Sequence, residues 1–212
     1  MVHTLKLLER IMDSRLRQGV RNGRQQIGFI KRTGTADGIF SLRQTMEKYQ
    51  EKQRVLHMVF IDSEKAYDQV PRQEFWRGLR ERGVQEKYVR MIQQCYKDVT
   101  KRVRSTVGMA EHFRVKVGLH QGSAPSPLLF NIMFDVITEN VGEEPPWCVL
   151  YADDTVLVAG SRRVLEKKLE EWSFPLESRR MRISRSTDID GDQLATIELG
   201  GGDLKIVRTL NN

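Results

Sequence analysis

Val149-Leu150-Tyr151-Ala152-Asp153-Asp154-Thr155-Val156-Leu157-Val158 decides how the chain is read. Apolar runs on both sides have the composition of strands, and the two acids stand where the chain must reverse. Aspartate suits a turn because its short carboxylate bonds nearby backbone N–H groups. Two readings are open on this stretch alone. One is a hairpin with a solvated polar tip. The other is a tip whose neighbouring carboxylates share a hard cation through oxygen. The four letters Tyr-Ala-Asp-Asp favour the first reading, and the rest of the chain shifts the balance to the second.

Upstream, Val55-Leu56-His57-Met58-Val59-Phe60-Ile61 is a nearly continuous apolar run that reads as a buried strand, with Asp62 at its end. If this strand and the hairpin are neighbours in one sheet, Asp62, Asp153 and Asp154 converge at one edge. Like charges at that range raise one another's pKa unless cations neutralise them. Mg²⁺ suits such a site, since it takes octahedral oxygen ligands from a few carboxylates and from substrate phosphates. Two ions about 3.5–4 Å apart would stabilise both the attacking and the leaving oxygen of an in-line phosphoryl displacement.

The other elements follow from periodicity. Leu5, Leu8, Met12 and Leu16 mark an amphipathic helix over 4–18. Residues 21–38 read as a Gly-, Arg- and Lys-rich loop, followed by a helix carrying Ile39, Met46 and Tyr49. Pro71 and Gly83 bracket a helix with Phe75, Trp76 and Leu79 on its apolar face. A further helix is expected over 85–98. Residues 101–117 alternate as a two-stranded ribbon turning at Gly108 to Glu111, with Arg102, Arg104, Arg114 and Lys116 on one face. An apolar helix over 126–140 starts at Ser126, a good N-cap, and Pro127. Ser161 caps a helix with Leu165, Leu169 and Trp172, which Pro175 is expected to end or kink. One hairpin signal crosses Gly200-Gly201-Gly202. Alternating strand and helix patterns argue for an α+β sheet with helices on one face.

The bulk properties fit a nucleic-acid partner. The chain has 212 residues with a formal charge of +7 and a pI near 9.5, a balance that suits a polyanion. Cys95 and Cys148 form neither a disulfide framework nor a four-ligand zinc site. His3, His57, His112 and His120 lack ligand spacing. No apolar run reaches the roughly 18 residues of a membrane span, and no signal peptide is evident. The chain is expected to be intracellular, in nucleus or cytoplasm, and not secreted.

Four stretches resemble the reverse transcriptases of non-LTR (LINE-type) retrotransposons. Phe60-Ile61-Asp62-Ser63-Glu64-Lys65-Ala66-Tyr67-Asp68-Gln69-Val70-Pro71 is similar to their first palm motif. Gly118-Leu119-His120-Gln121-Gly122-Ser123-Ala124-Pro125-Ser126-Pro127-Leu128-Leu129-Phe130-Asn131 is similar to the second, and Tyr151-Ala152-Asp153-Asp154 to the third. Gln26-Ile27-Gly28-Phe29 through Thr35-Ala36-Asp37 is similar to the finger motif. The motifs stand in the family's order, and the likeness is nearest to elements of the RTE/BovB kind. It implies a right-hand polymerase palm over 55–185, partial helical fingers over 1–54, a weakly ordered tail over 186–212, and no thumb. It implies an RNA-directed DNA polymerase that extends a DNA primer on an RNA template with deoxynucleoside triphosphates, using Mg²⁺ or Mn²⁺. Asp62, Asp153 and Asp154 fall on the metal-binding catalytic triad. Tyr67 falls on the aromatic that blocks a ribose 2′-hydroxyl, although a core aromatic would look the same. Gln121 and Gly122 fall on the loop beside the incoming nucleotide, and Lys31 and Arg32 near the residues that hold its triphosphate.

Departures from the pattern support a second reading. Ser63 and Pro125 replace apolar residues, and Pro175 stands in what is usually a continuous helix. The family's Ser-Lys-Thr-Glu step has lost its lysine around Ile183-Ser184-Arg185-Ser186-Thr187-Asp188. The alternative to a polymerase is therefore an inactive retrotransposon remnant that binds nucleic acid through charge alone.

Overall fold

A computed structural model describes residues 3–20, 23–106, 108–179, 181–185, 195–200 and 203–208; for Glu64 and from 182 onward only the backbone is described. In chain order the helices and strands are α1 (His3–Gly19), α2 (Thr35–Glu51), β1 (His57–Glu64), α3 (Ala66–Gln69), α4 (Arg72–Glu81) and α5 (Glu86–Cys95). There follow β2 (Thr100–Lys101), β3 (Arg104–Ser105), β4 (Gly108–Met109), β5 (Phe113–Arg114) and α6 (Ser126–Thr138). The chain continues with β6 (Cys148–Tyr151), β7 (Asp154–Ala159), α7 (Arg162–Glu177), β8 (Arg182–Arg185), β9 (Ala195–Gly200) and β10 (Asp203–Arg208). They form two compact units, one of residues 1–21 and 67–133 and the other of residues 22–66 and 134–212. This division by compactness does not follow the expected boundaries at 54 and 185.

The second unit is built on an antiparallel sheet in the order β6-β7-β1-β8. β1 pairs with β7 from His57↔Ala159 to Ile61↔Thr155, and β6 pairs with β7 from Cys148↔Leu157 to Tyr151↔Asp154. Successive side chains on a strand point to opposite faces. On one face Met58 and Val158 are buried beneath Leu42, Met46 and Tyr49 of α2. On the other, Val59, Ile61 and Leu157 are buried, and α7, which packs along β7 and β1, buries Leu165, Leu169, Trp172 and Leu176. The expected α+β sheet with helices is present and its strands are antiparallel, but helices are not confined to one face, since α2 covers part of the second. That cover stops short of Phe60 and Asp62, which remain exposed. β9 and β10 form the hairpin signalled at Gly200, with Asp203 opposite Gly200.

Several local expectations are corrected. α2 begins at Thr35, inside the stretch read as loop, because the Asp37 carboxylate accepts the Gly34 N–H at 2.7 Å and closes the first turn. Ile39, expected on its apolar face, is exposed. α7 runs two residues past Pro175. The proline falls in the last turn, and its carbonyl accepts the Ser178 hydroxyl and the Arg179 guanidinium. Ser161 caps that helix as expected.

In the first unit, α4 and α5 bury Phe75, Trp76, Leu79, Val89 and Ile92, close to the faces read from periodicity. α1 buries Glu9, Met12 and Leu16 and leaves Leu5 and Leu8 exposed. The 101–117 ribbon turns earlier than expected. β3 pairs with β4 as Ser105↔Gly108, and β2 with β5 as Lys101↔Phe113. Gly108 is therefore a strand residue, not the turn, and Val107 lies outside the described residues. Both faces of the ribbon are exposed at Val103, Arg104, Met109, Phe113 and Arg114.

Candidate active site

The sheet brings the three predicted acids to one end. β1 and β6 both run antiparallel to β7, so they point the same way and their C-terminal ends lie side by side. Asp62 stands near the end of β1, Asp153 just past β6, and Asp154 opens β7. One step beyond the Ile61↔Thr155 pair, Asp62 and Asp154 face each other across the two strands. Carbon atoms so placed are about 4.5–5.5 Å apart at Cβ. Burial first, and Asp62 after it, push the Asp153 carboxyl above the usual aspartate value. Burial, then Asp153 and Asp62, push Asp154 up. The acids thus feel one another's charge. Among the described residues no group of three His, Cys, Asp or Glu side chains is gathered closely enough to ligate a single ion.

The turn that presents Asp153 is tight and strained. Tyr151 pairs with Asp154, leaving Ala152 and Asp153 as a two-residue loop, and Ala152 has φ +58°. A positive φ is costly for a residue with a Cβ. Gln26, which is 2% exposed, holds this conformation. Its Oε1 accepts the Ala152 N–H at 3.1 Å and the Gly28 N–H at 2.8 Å, and its Nε2 donates to the Ala152 carbonyl at 3.4 Å. Residues 25–27 run parallel to β6, with Ile27 N–H bonding Leu150 O and Leu150 N–H bonding Gln25 O, both at 2.8 Å. Phe29 stacks on Tyr151 with centroids 6.4 Å apart. A Cβ on Gly28 would overlap the Ala152 backbone nitrogen, so this approach requires glycine. Sequence reasoning placed Gln26 in a finger motif and missed its hold on the turn. Its partner is 126 positions away, and no local pattern signals it.

Lys31 and Arg32 lie exposed on a turn ahead of α2, where Arg32 has φ +66°. Thr155 beside the acids is 1% exposed, and its hydroxyl has no hydrogen-bond partner among the described residues. Cys148 is buried at the start of β6, and burial pushes its thiol up to about 12. It is therefore a packing residue, not a nucleophile.

The other predicted residues gather in the first unit. Leu119 N–H bonds the Tyr67 carbonyl at 2.7 Å, and Gln121 Nε2 donates to the Asp68 carboxylate at 3.1 and 3.3 Å. Tyr67 stacks on Phe130 at 4.5 Å. Gly118 has φ +72°, and a Cβ there would meet the Asp68 backbone at 2.6 Å. Gln121 and Gly122 are exposed. Tyr96 props this loop, its hydroxyl accepting the His120 N–H at 3.2 Å while its ring stacks on His120 at 4.1 Å. Arg72 lies over the same ring and donates to the Gly118 and Tyr96 carbonyls. Ser126, expected as an N-cap, instead gives its hydroxyl to the His120 carbonyl at 2.8 Å. Burial first, and Arg72 next, hold His120 below the usual histidine value, so it is neutral at pH 7.

Residues 1–186 match the family described as "Reverse transcriptase (RNA-dependent DNA polymerase)". The chain belongs to the reverse transcriptase family. Curated relatives of this reverse transcriptase domain include the "Retrovirus-related Pol polyprotein from type-1 retrotransposable element R2" of Nasonia vitripennis. It is 26% identical over 182 residues, covering 82% of this chain and 18% of that protein. The "Putative 115 kDa protein in type-1 retrotransposable element R1DM" of Drosophila melanogaster is 31% identical over 168 residues, covering 77% of this chain and 16% of that protein. The chain thus spans about a fifth of the length of the curated relatives it matches. These relatives mark it as a reverse transcriptase domain of the non-LTR retrotransposon kind. Telomerase from Candida albicans, solved with a fragment of telomeric RNA, superposes with TM-score 0.63 at 13% identity over 95% of this chain and 36% of that one. That likeness identifies the fold as a partial right-hand polymerase domain. No helix among the described residues is long and apolar enough to cross a membrane.

Proposed function

We propose that this reverse transcriptase domain extends a DNA primer on an RNA template by nucleotidyl transfer, with Asp62, Asp153 and Asp154 as its catalytic carboxylates. The observation that carries the reading is the meeting of these acids at one sheet end, on the three positions where the family motifs place them. Their donor chemistry fits a hard divalent cation: all are carboxylates, and two are pushed up by burial first and then by neighbouring negative charge, which a cation would relieve. Mg²⁺, or Mn²⁺ in its place, would draw ligands from among these carboxylates and from substrate phosphates, and would supply stabilisation of charge on the reacting phosphate. Gln26 fixes the Asp153 turn by hydrogen bonds to its backbone. We assign Tyr67 to exclusion of a ribose 2′-hydroxyl, Gln121 and Gly122 to the incoming nucleotide, and Lys31 and Arg32 to its triphosphate, all by resemblance. The finer kinship with RTE/BovB elements likewise rests on the motifs alone.

Primer extension on an RNA template with Mg²⁺ or Mn²⁺ tests the reading. The unmodified chain extends the primer. Asp153→Asn, which keeps size but removes a charged ligand, abolishes extension while template binding stays within about twofold. Undiminished extension by this variant would sink the carboxylate assignment. A chain that binds template but never extends returns the reading to an inactive remnant that holds nucleic acid by charge.

A further inference from the structure

The second unit carries another feature, at the end of the sheet away from the acids. Lys48, Tyr49, Lys52, Arg54, Pro146 and Trp147 line a cavity of about 250 Å³. Tyr49 and Trp147 meet edge to face, with centroids 6.4 Å apart and planes at 80°. Lys168 Nζ lies 5.7 Å from the Trp147 ring centre, anchored by Glu143 at 2.7 Å and the Val158 carbonyl at 3.0 Å. Trp147 is 36% exposed, whereas Trp76 and Trp172 are 5% and 1% exposed. Lys48, Lys52 and Arg54 are all exposed, and none of the lining residues among those described is acidic. Trp147 precedes β6 and Asp153 follows it, which separates them by roughly 15 Å at about 3.3 Å per residue.

We propose that this cavity is a second nucleic-acid site, which takes one unpaired base of a single strand against Trp147 and Tyr49 and the flanking phosphates on Lys48, Lys52 and Arg54. Exposed aromatic rings beside cations are the elements that hold single strands, because every base has a face to stack and every linkage a negative charge. The volume lies below the roughly 300–1,000 Å³ of pockets for drug-sized ligands and suits one base. A duplex keeps its bases stacked inside and has none to offer. An acidic peptide would match the cations but leave the aromatic pair unused. The site is independent of the polymerase reading, because it shares no residue with the carboxylates.

Tryptophan emission of the full chain, titrated with a short single-stranded oligoadenylate, reads the site directly. The expected result is saturable quenching that a duplex of equal length does not reproduce. Lys52→Glu with Arg54→Glu alters only exposed side chains and weakens the quench-detected affinity tenfold or more. Trp147→Ala lowers affinity for a labelled oligonucleotide by about 5- to 150-fold, the range of one stacked base, and Trp147→Phe restores most of it. Asp153→Asn leaves the quench unchanged even if it abolishes extension, which separates this site from the catalytic one. Equal quenching by the charge-reversed chain or by a duplex would overturn the proposal. Quenching by polyglutamate as strong as that by the oligonucleotide would replace it with an acidic protein partner.

Discussion

Asp153 and Asp154 work against the fold that presents them. Burial is the first cause of their raised pKa values, and the neighbouring acids add to it. Each therefore holds its proton more tightly folded than unfolded, so the ionised form opposes folding at neutral pH. As pH falls through the raised values the opposition is relieved, and it is gone below the ordinary aspartate value of about 3.9. Asp154→Asn is accordingly expected to melt at a higher temperature than the unmodified chain at pH 7, with the gain shrinking as pH approaches 4. Thermal denaturation across that range checks the sign, and a variant less stable at pH 7 would refute the account. The strained Ala152 beside them, at φ +58°, is of the same kind: stability is given up where the reactive groups are displayed.

At the scale of elements, the edge of β6 is completed by residues 25–28, a segment with almost no strand character of its own. Gln26→Ala takes the buried acceptor away from the Ala152 N–H, at about 1–3 kcal/mol for an unsatisfied group. Denaturant unfolding should show the midpoint falling accordingly, and an unmoved midpoint would mean the turn holds without Gln26. This clamp divides what was legible in the sequence from what was not. The Val149–Val158 hairpin, the β1 strand and the buried faces of α4 and α7 were legible because apolar periodicity and Ser161, Pro71 and Gly83 signal them locally, although β1 starts at His57 and runs past Asp62 to Glu64. The ribbon was legible as a ribbon, but its turn was misplaced. Its alternation continues through Gly108, and exposure on both faces leaves no buried side to set the register. The start of α2 was missed because Asp37 closes a turn on a glycine. Gln26, Arg72 and Tyr96 act through distant backbone groups, which no window of neighbouring residues contains.

The whole molecule carries a charge of +7, and part of it stands on the exposed ribbon at Lys101, Arg102, Arg104, Arg114 and Lys116. Binding of single strands should weaken as salt rises, with log K falling by about 0.7 per phosphate contact for each unit of log salt. Anisotropy titrations at several salt concentrations measure that slope, and a flat response would exclude a charge-driven interface. The order β6-β7-β1-β8 has a consequence for how the chain acquires its site. Asp62 and Asp154 are neighbours across two strands, yet the whole of 67–133 lies between them in sequence. Closing so long a loop costs entropy that grows only with the logarithm of its length, so insertions within 67–133 change the sheet's equilibrium stability little. The pairing of β1 with β7 is nonetheless among the most non-local in the chain, and non-local pairings are the slow ones to form. The carboxylate cluster is therefore a late product of folding: a nascent chain has made β1 and Asp62 long before it has anything to place opposite them.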